Sequence, residues 1–386
     1  MIQPLHIVMP IHSFEPGGVE RVGLGLAKAW QGAGHSVTVV LGRDEGMDRG
    51  QAPALRYRSI RIPFSTASFE TLWMIWSLRV YLRHNSADVL FCPGNTYAIV
   101  CVAMRLLLGS RCPPVIAKIS NDLVRADEPW LFRLGYRVWL RIQARLFARL
   151  VGMAEPMREE IARFMKARAE QIAIVPDPAL DRQRFRRLLA IDRGRDLGAS
   201  CHFVAVGRLV AQKNFPLLLR AFARAFRFGD RLTIIGDGPE RERLERLVQG
   251  LAITSRVQFT GHLDSPDAWL ERGDCLLLSS DYEGVPAVVL EAIAAGLPVI
   301  ATECSTSMSA LLGYGSRGVM VPVGDLSGFA AAIRDVLTLP RPGLKDRAAV
   351  EDFTLERGAE HYLSLMYPLR PTCGPAQARV RTAAAS

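Results

Sequence analysis

Residues 275–302 read CLLLSSDYEGVPAVVLEAIAAGLPVIAT. Cys275–Leu278 is a short apolar run of strand length, Ser279–Pro286 is a polar loop with a glycine, and the apolar stretch after Pro286 has helical length before a second short run at Val299–Ala301. Strand, helix and strand in this order make a parallel crossover unit, and strands apolar at every position belong to a sheet covered by helices on both faces. The pattern extends outward. Phe203–Val206, Leu232–Ile235 and Val257–Phe259 read as further strands, with helices over about 215–228, 238–250, 265–272 and 286–296. The first half repeats the design, with strands at Leu5–Met9, Val37–Leu41, Val89–Phe91, Val115–Ile119 and Leu150–Met153 and helices such as Val19–Gln31 and Trp130–Ala148.

The expected fold is therefore α/β, two Rossmann-like doubly wound parallel sheets. A break at Pro176-Asp177-Pro178 and the charged run after it set the expected organisation: domain 1–175, linker 176–200, domain 201–345, terminal helix within 346–370, and a disordered tail 371–386. A chain of 386 residues suits two domains, and its 49% hydrophobic and 22% charged residues describe a folded globular protein. Seven scattered cysteines with no C-x-x-C pair point to a reducing, cytoplasmic setting without disulfides or zinc. No apolar run is long enough for a membrane-spanning helix, and the N-terminus lacks the features of a signal peptide. The net charge is +10, and residues 1–170 hold 22 Lys/Arg against 14 Asp/Glu. Such a field favours anionic partners, among them phosphates, nucleic acid and acidic membranes.

Ligands of open parallel sheets bind beyond the carboxyl ends of the strands. After Phe203–Val206 come Arg208 and Lys213, which can clamp a diphosphate, one as a fork and one as a point charge, or stand as two solvated loop cations. Gly236-Asp237-Gly238-Pro239-Glu240 resembles the start of a dinucleotide fingerprint. Arg241 replaces the third glycine and no acid closes the next strand, so a tight turn is the better reading. In the 275–302 stretch, Glu283 lies in the loop and Glu291 inside the apolar helix. A buried carboxylate needs partners: either ligand hydroxyls such as those of a ribose, or a surface base, with Glu283 then a solvated acid in a plain N-terminal turn. Gly284 allows close backbone approach, and the helix start offers free N–H groups. In the first half, Pro16-Gly17-Gly18 leads into a helix and makes either a backbone anion site or a plain turn.

These runs together, VGRLVAQKNFPLLLRAF, IIGDGPERERLERL, FTGH and the stretch quoted first, resemble the retaining family 4 glycosyltransferases of the GT-B fold. The Glu283–Glu291 spacing, the Arg208/Lys213 pair and the block order all match. The likeness is specific over about 200–340 and looser over 1–170, where it rests on Pro16–Glu20, LVGMAEPMREEI and IAIVPDP. The chain departs from the family pattern at Ala154, at Asp177, at Ser305–Ser309 and at Ser120-Asn121-Asp122. The resemblance implies two domains facing across a cleft and transfer of a sugar, with retention of configuration, from a UDP- or GDP-sugar to a glycan or lipid-linked acceptor. It implies that Arg208 and Lys213 bind the donor diphosphate and support the leaving group. Glu291 would hold the ribose, and Glu283 with the Gly284 and Val285 backbone the transferred sugar. Gly17 and Gly18 would lie near the phosphates. The acceptor side is less defined: His12, near the first glycine loop, either lines the cleft or is an ordinary polar residue, and Asn121 and Asp122 stand where many members of the family carry a His. With no Asp-x-Asp motif, neither a metal nor a cofactor is expected. A GT-B-type epimerase or phosphorylase, or a non-catalytic protein binding anionic surfaces, are the alternatives; no nucleic-acid module is recognisable.

Finally, Arg133, Arg137, Arg141, Arg145 and Arg149 recur every four residues in one predicted helix, interleaved with apolar residues. They form a broad basic face, which is either solvated or docks peripherally on an anionic membrane where a polyprenyl-linked acceptor would lie. Phe69, Trp73, Trp76 and Tyr81 with Arg79 and Arg83 form a second run of this kind.

Overall fold

A computed structural model describes residues 3–15, 17–60, 66–120, 123, 130–193, 200–263 and 265–370. Contacts divide the chain into two units, Met1–Gly152 with Arg158–Val175 and Ala359–Ser386, and Met153–Met157 with Pro176–Gly358.

The first unit is built on seven parallel strands: β1 His6–Ile11, β2 Ser36–Leu41, β3 Arg56–Ser59, β4 Val89–Cys92, β5 Val115–Lys118, β6 Arg149–Gly152 and β7 Ile172–Ile174. Their order is β3-β2-β1-β4-β5-β6-β7. The second unit has six, β8 His202–Val206, β9 Arg231–Ile235, β10 Val257–Gly261, β11 Cys275–Leu278, β12 Val299–Thr302 and β13 Gly318–Val321, in the order β10-β9-β8-β11-β12-β13. Both sheets are doubly wound, as expected. Three strands have no counterpart among the sequence expectations. β3 reads RYRS, with exposed and half-buried positions alternating at a sheet edge; β7 is three residues long; β13 opens on a glycine. Only β3 lacks an apolar run: β7 lies in Ile172–Val175 and β13 ends on Val319–Val321, runs as apolar as Val89–Phe91.

Alternation of side chains sorts the second core into two layers. Phe203, Ala205, Leu232, Ile234 and Leu277 face the helices Phe215–Ala225, Arg241–Gly250 and Leu326–Arg334. Val204, Leu276, Leu278, Val299 and Ala301 face Leu270, the helix Ala287–Ala294 and Met308. The segment read as a linker carries a helix, Arg182–Leu189, capped by Asp181 accepting from the Arg184 amide at 2.7 Å. Beyond it, Arg193 donates to the carbonyls of Glu271 and Gly273, each at 2.9 Å.

The terminal helix Leu355–Met366 enters the core of the first unit from Ala359 onward. Trp30, fully buried, donates from Nε1 to the Ala359 carbonyl at 3.2 Å and meets Phe91 edge-on at 5.0 Å; Tyr362 closes the aromatic cluster at 5.1 Å from Phe91. The tail 371–386 lies outside the described residues.

Candidate active site

Strand order reverses direction between β8 and β11, so the loops that follow these two strands part around the ligand position of a doubly wound sheet. Arg208 and Lys213 follow β8, and Glu283 follows β11. The structure brings Lys213 and Glu283 together: Lys213 Nζ donates to Glu283 Oε1, with side chains 19% and 12% exposed. Ser280 Oγ donates to the same oxygen at 2.7 Å. The loops are knitted by their backbones as well. Asp281 N donates to Gln212 O at 2.8 Å, Glu283 N to Cys304 O at 2.7 Å, and Ser279 Oγ to Lys213 O at 2.8 Å. Arg208 is exposed and, among the described residues, has no ion-pair partner. One cation of the expected clamp is thus fixed and the other free.

The Gly236–Glu240 loop supports this arrangement rather than a dinucleotide. Gly236 and Gly238 have φ of 142° and 158°, and a Cβ on them would fall 2.0 Å from Gly207 O and 2.5 Å from Leu209 O. Glycine is required because the turn packs against the backbone that carries Arg208. Leu209 N donates to Asp237 O at 2.9 Å and Glu240 N to Leu209 O at 3.0 Å. Directly after Lys213, Asn214 takes the left-handed conformation (φ 43°, ψ 43°) and caps the helix Phe215–Ala225 by accepting from the Leu217 amide.

Glu291 is buried, and the sequence left open what would partner it. Its Oε1 accepts from Arg184 Nη1 at 2.7 Å. Arg184 Nε and Nη2 donate to Asp267 Oδ1 at 2.9 and 2.7 Å. Burial works against the Arg184 charge, but the two carboxylates overcome it and hold the guanidinium above its ordinary range. Arg184 escaped the sequence reading because it lies in the segment taken for a linker; the Asp181 helix-start signal three residues earlier could have located it. Gly284 and Val285 are half-buried and precede the helix Ala287–Ala294, whose start has no side-chain cap, leaving N–H groups open to a ligand.

In the first unit the corresponding reversal lies between β1 and β4. Gly17 and Gly18 open the helix Gly18–Gly32. The group lying over Gly17 is Glu20's own carboxylate: a Cβ there would stand 2.0 Å from Glu20 Oε2. Tyr97, after β4, donates its hydroxyl to Glu20 Oε1 at 2.8 Å and accepts from the His12 amide at 3.1 Å. Burial, then Glu20, push the phenol far above its ordinary range. His12 stacks on Tyr97 at 4.8 Å; its Nδ1 is buried without a hydrogen bond, 3.9 Å from Glu70 Oε1. Burial lowers its pKa, against the opposing pull of Glu70 and Glu20. The sequence marks Glu20 only as the end of the Pro16–Glu20 loop and Tyr97 and Glu70 not at all, and it offers no spacing that would join the three. Asn121 and Asp122 lie outside the described residues.

The arginine row needs one correction. The helix Trp130–Leu146 carries Arg133, Arg137, Arg141 and Arg145, but Arg149 begins β6. Ala148 N already donates to Val115 O at 2.8 Å, so the sheet ladder captures the chain before a further helical turn forms. The outward face is not purely basic. Leu134, Val138 and Ile142, at successive i+4 positions beside the arginines, are 54%, 49% and 36% exposed. The helices Glu70–His84, Ala98–Leu108 and Trp130–Leu146 pack in succession on this side of the sheet. The first two add exposed Leu72, Trp76, Leu106 and Leu107. No helix among the described residues is long and apolar enough to cross a membrane.

Comparison with known proteins gives two family matches, Glycosyl transferases group 1 over residues 200–338 and Glycosyl transferase 4-like domain over residues 17–178. The lipopolysaccharide core biosynthesis glycosyltransferase LpsD of Rhizobium meliloti is 37% identical over 353 residues, 88% of this chain and 90% of that protein. LpsE of the same organism, also a lipopolysaccharide core biosynthesis glycosyltransferase, is 35% identical over 187 residues, 47% of this chain and about half (54%) of its own length. Among solved structures, Anabaena Alr3699/HepE in complex with UDP and glucose superposes with a TM-score of 0.69 at 16% identity, covering 94% of this chain and 99% of that one. At that identity the likeness is one of fold, the two Rossmann-like units of the GT-B class.

Proposed function

The chain belongs to the group 1 glycosyltransferases, and from that premise we propose that it transfers a sugar, with retention, from a nucleoside-diphosphate sugar to a glycan or polyprenyl-linked acceptor of polysaccharide or lipopolysaccharide assembly. The observation that carries the reading is the convergence of Lys213, Glu283 and exposed Arg208 at the β8/β11 reversal. Arg208 and Lys213 grip the donor diphosphate. Lys213 gives one N–H to Glu283 and keeps two for phosphate oxygens. Glu283, held by Ser280 and Lys213, and the Gly284 and Val285 backbone meet the transferred sugar; Glu291 takes the ribose, steadied by Arg184. As the glycosidic bond breaks, negative charge grows on the diphosphate, and fixed cations stabilise that charge more than the ground state. The acceptor attacks on the face the diphosphate leaves, and a donor phosphate oxygen takes its proton. No metal or cofactor enters this scheme.

UDP is the nucleotide in the HepE complex, which makes a UDP-sugar the first donor to test. A thermal-shift panel of UDP-, GDP- and ADP-sugars measures this, because a ligand of the native state raises its melting temperature. No rise with any of them would sink the donor assignment.

The apolar and basic outward face of the first unit supports peripheral docking on an anionic cytoplasmic membrane. Arginines alone suit a solvated helix, whereas exposed Leu134, Val138, Ile142, Trp76 and Leu106 side chains beside them are the composition of an interfacial helix face.

A further inference from the structure

We propose that the first unit carries a separate site for a phosphate-bearing ligand, in two adjoining basic clefts at the amino ends of β5, β6 and β7, the end of the sheet opposite His12 and Gly17. The clefts hold ≈ 400 and ≈ 360 Å³. Arg105, Arg145, Arg149 and Arg168 line one, and Arg141, Arg145, Lys166 and Arg168 the other, so Arg145 and Arg168 belong to both. Six cations face these spaces, and Glu170 is the one carboxylate among the described residues lining them. Glu170 pairs loosely with Arg168 at 3.4 Å, both side chains well exposed. Among the described residues, Arg141, Arg145 and Lys166 have no carboxylate partner, and the Nε atoms of Arg105 and Arg141 are buried without a hydrogen bond.

The cations come from separate elements that the fold holds together. Gln171 Nε2 donates to Ala144 O at 3.1 Å and Phe147 O at 3.3 Å, and its Oε1 accepts from the Arg168 amide at 3.1 Å. This clasp fixes Arg168 against the end of the Trp130–Leu146 helix. Cations are favoured at a helix carboxyl terminus, which accounts for Arg145 on its own. It does not account for Arg105, Lys166 and Arg168, which lie on other elements and gather against mutual repulsion. A dianionic phosphate or a diphosphate relieves that repulsion and matches the guanidinium fork. Arg141 and Arg145 also flank the exposed Ile142 stripe, so an anionic lipid headgroup can enter with its chains against that stripe. The phosphate chemistry stands on the clefts alone, while the headgroup source rests on the membrane reading above.

The test uses the full chain and inorganic pyrophosphate, read by hydrogen exchange. Pyrophosphate should slow exchange at 141–149 and 165–171 in the wild type but not in a Lys166→Gln/Arg168→Gln variant; both changes fall on exposed side chains. Any response at 207–214, near Arg208 and Lys213, should persist in that variant. No slowing at 141–149 and 165–171, or equal slowing in the variant, overturns the site. Flotation with phosphatidylcholine vesicles, with and without phosphatidic acid, then separates the sources. A loss of about tenfold or more in the variant's retention on phosphatidic acid vesicles assigns a headgroup. Unchanged retention alongside lost pyrophosphate protection assigns a soluble phosphate and keeps the site. Absence of vesicle binding by the wild type removes the docking reading alone.

Discussion

Replacing Glu291 separates two roles that one carboxylate can play. Its ion pair with Arg184 spans 2.7 Å, with side chains 9% and 19% exposed. At a charge separation of about 4 Å and an effective dielectric near 20 the attraction is about 4 kcal/mol, much of it offset by desolvation. Stripping one partner from a buried pair costs about 3–5 kcal/mol when the remaining charge is stranded. Arg184 is not stranded, because Asp267 still accepts from Nε and Nη2. Glu291→Ala should therefore destabilise the ligand-free second unit by about 2 kcal/mol, a fall of about 4–8 °C in melting temperature for a domain of this size. If Glu291 also takes the ribose, hydrogen bonds to a charged acceptor add about 1.5–3 kcal/mol to binding. The Kd for the nucleoside diphosphate should then rise by about 10- to 100-fold. Calorimetry at a temperature where every variant is folded reads this directly. Arg184→Gln is the comparison: it keeps the Glu291 carboxylate but removes the guanidinium that holds it, so it should lower the melting temperature while raising Kd by clearly less than Glu291→Ala does. A Glu291→Ala protein that melts early yet binds nucleotide as tightly as wild type would refute the ribose role and leave the carboxylate as a structural partner of Arg184.

Arg208→Ala and Lys213→Ala should each weaken nucleoside-diphosphate binding by about 2–4 kcal/mol by calorimetry, whereas Glu283→Ala should mainly lower kcat; unaltered affinity in both cation variants would remove the clamp. His12 has its pKa lowered by burial, so the unfolded chain binds its proton first and stability is lost as pH falls through the ordinary imidazole value near 6.5 toward the depressed one. Denaturant unfolding between about pH 7 and pH 5 should show this slope, and His12→Gln should make it shallower, leaving the part that His35, also lowered by burial, contributes; an identical slope in the variant would assign the effect elsewhere. Changing Arg137, Arg141 and Arg145 to Gln, or Leu134, Val138 and Ile142 to Ser, should each reduce co-sedimentation with anionic vesicles, with the arginine-dependent part also weakened by salt. Equal binding to neutral and anionic vesicles would exclude the electrostatic half of this reading.

The fold was legible wherever burial on both faces left an apolar run. β1, β2, β4, β5 and β6, and β8, β9, β11 and β12 of the second sheet, announce themselves in this way, because a strand between helices has no solvent face to encode; β10, a partly buried edge strand, is read from Val257 and Phe259 alone. Edge strands obey a different rule. Arg56–Ser59 is paired on one side only and half-exposed, so its residues satisfy solubility rather than packing, and nothing in RYRS separates it from a loop. The end of the Trp130–Leu146 helix was misplaced for a related reason: arginines at every fourth position continue to Arg149, but a ladder bond from Ala148 to Val115, remote in sequence, decides where the helix stops.

In the candidate site the sequence marks residue types and leaves their pairings unread. Lys213 and Glu283 were each marked by position after a strand, and adjacency of β8 and β11 turns two separate loop residues into one ion pair. That adjacency belongs to the doubly wound order, not to either loop. Glu291 shows the limit more sharply. An acid in an apolar helix requires a partner, and the requirement is met equally by a ligand hydroxyl or by a guanidinium 107 residues away in sequence. Arg184 satisfies it already in the ligand-free chain. No ligand is therefore needed to offset the cost of burying this charge, and Arg184 alone orients the carboxylate. Lys213 is held in the same way by Glu283. A site whose charged groups are paired within the chain spends less binding energy on ordering them; under the proposed function this leaves exposed Arg208 as the cation that closes on the diphosphate.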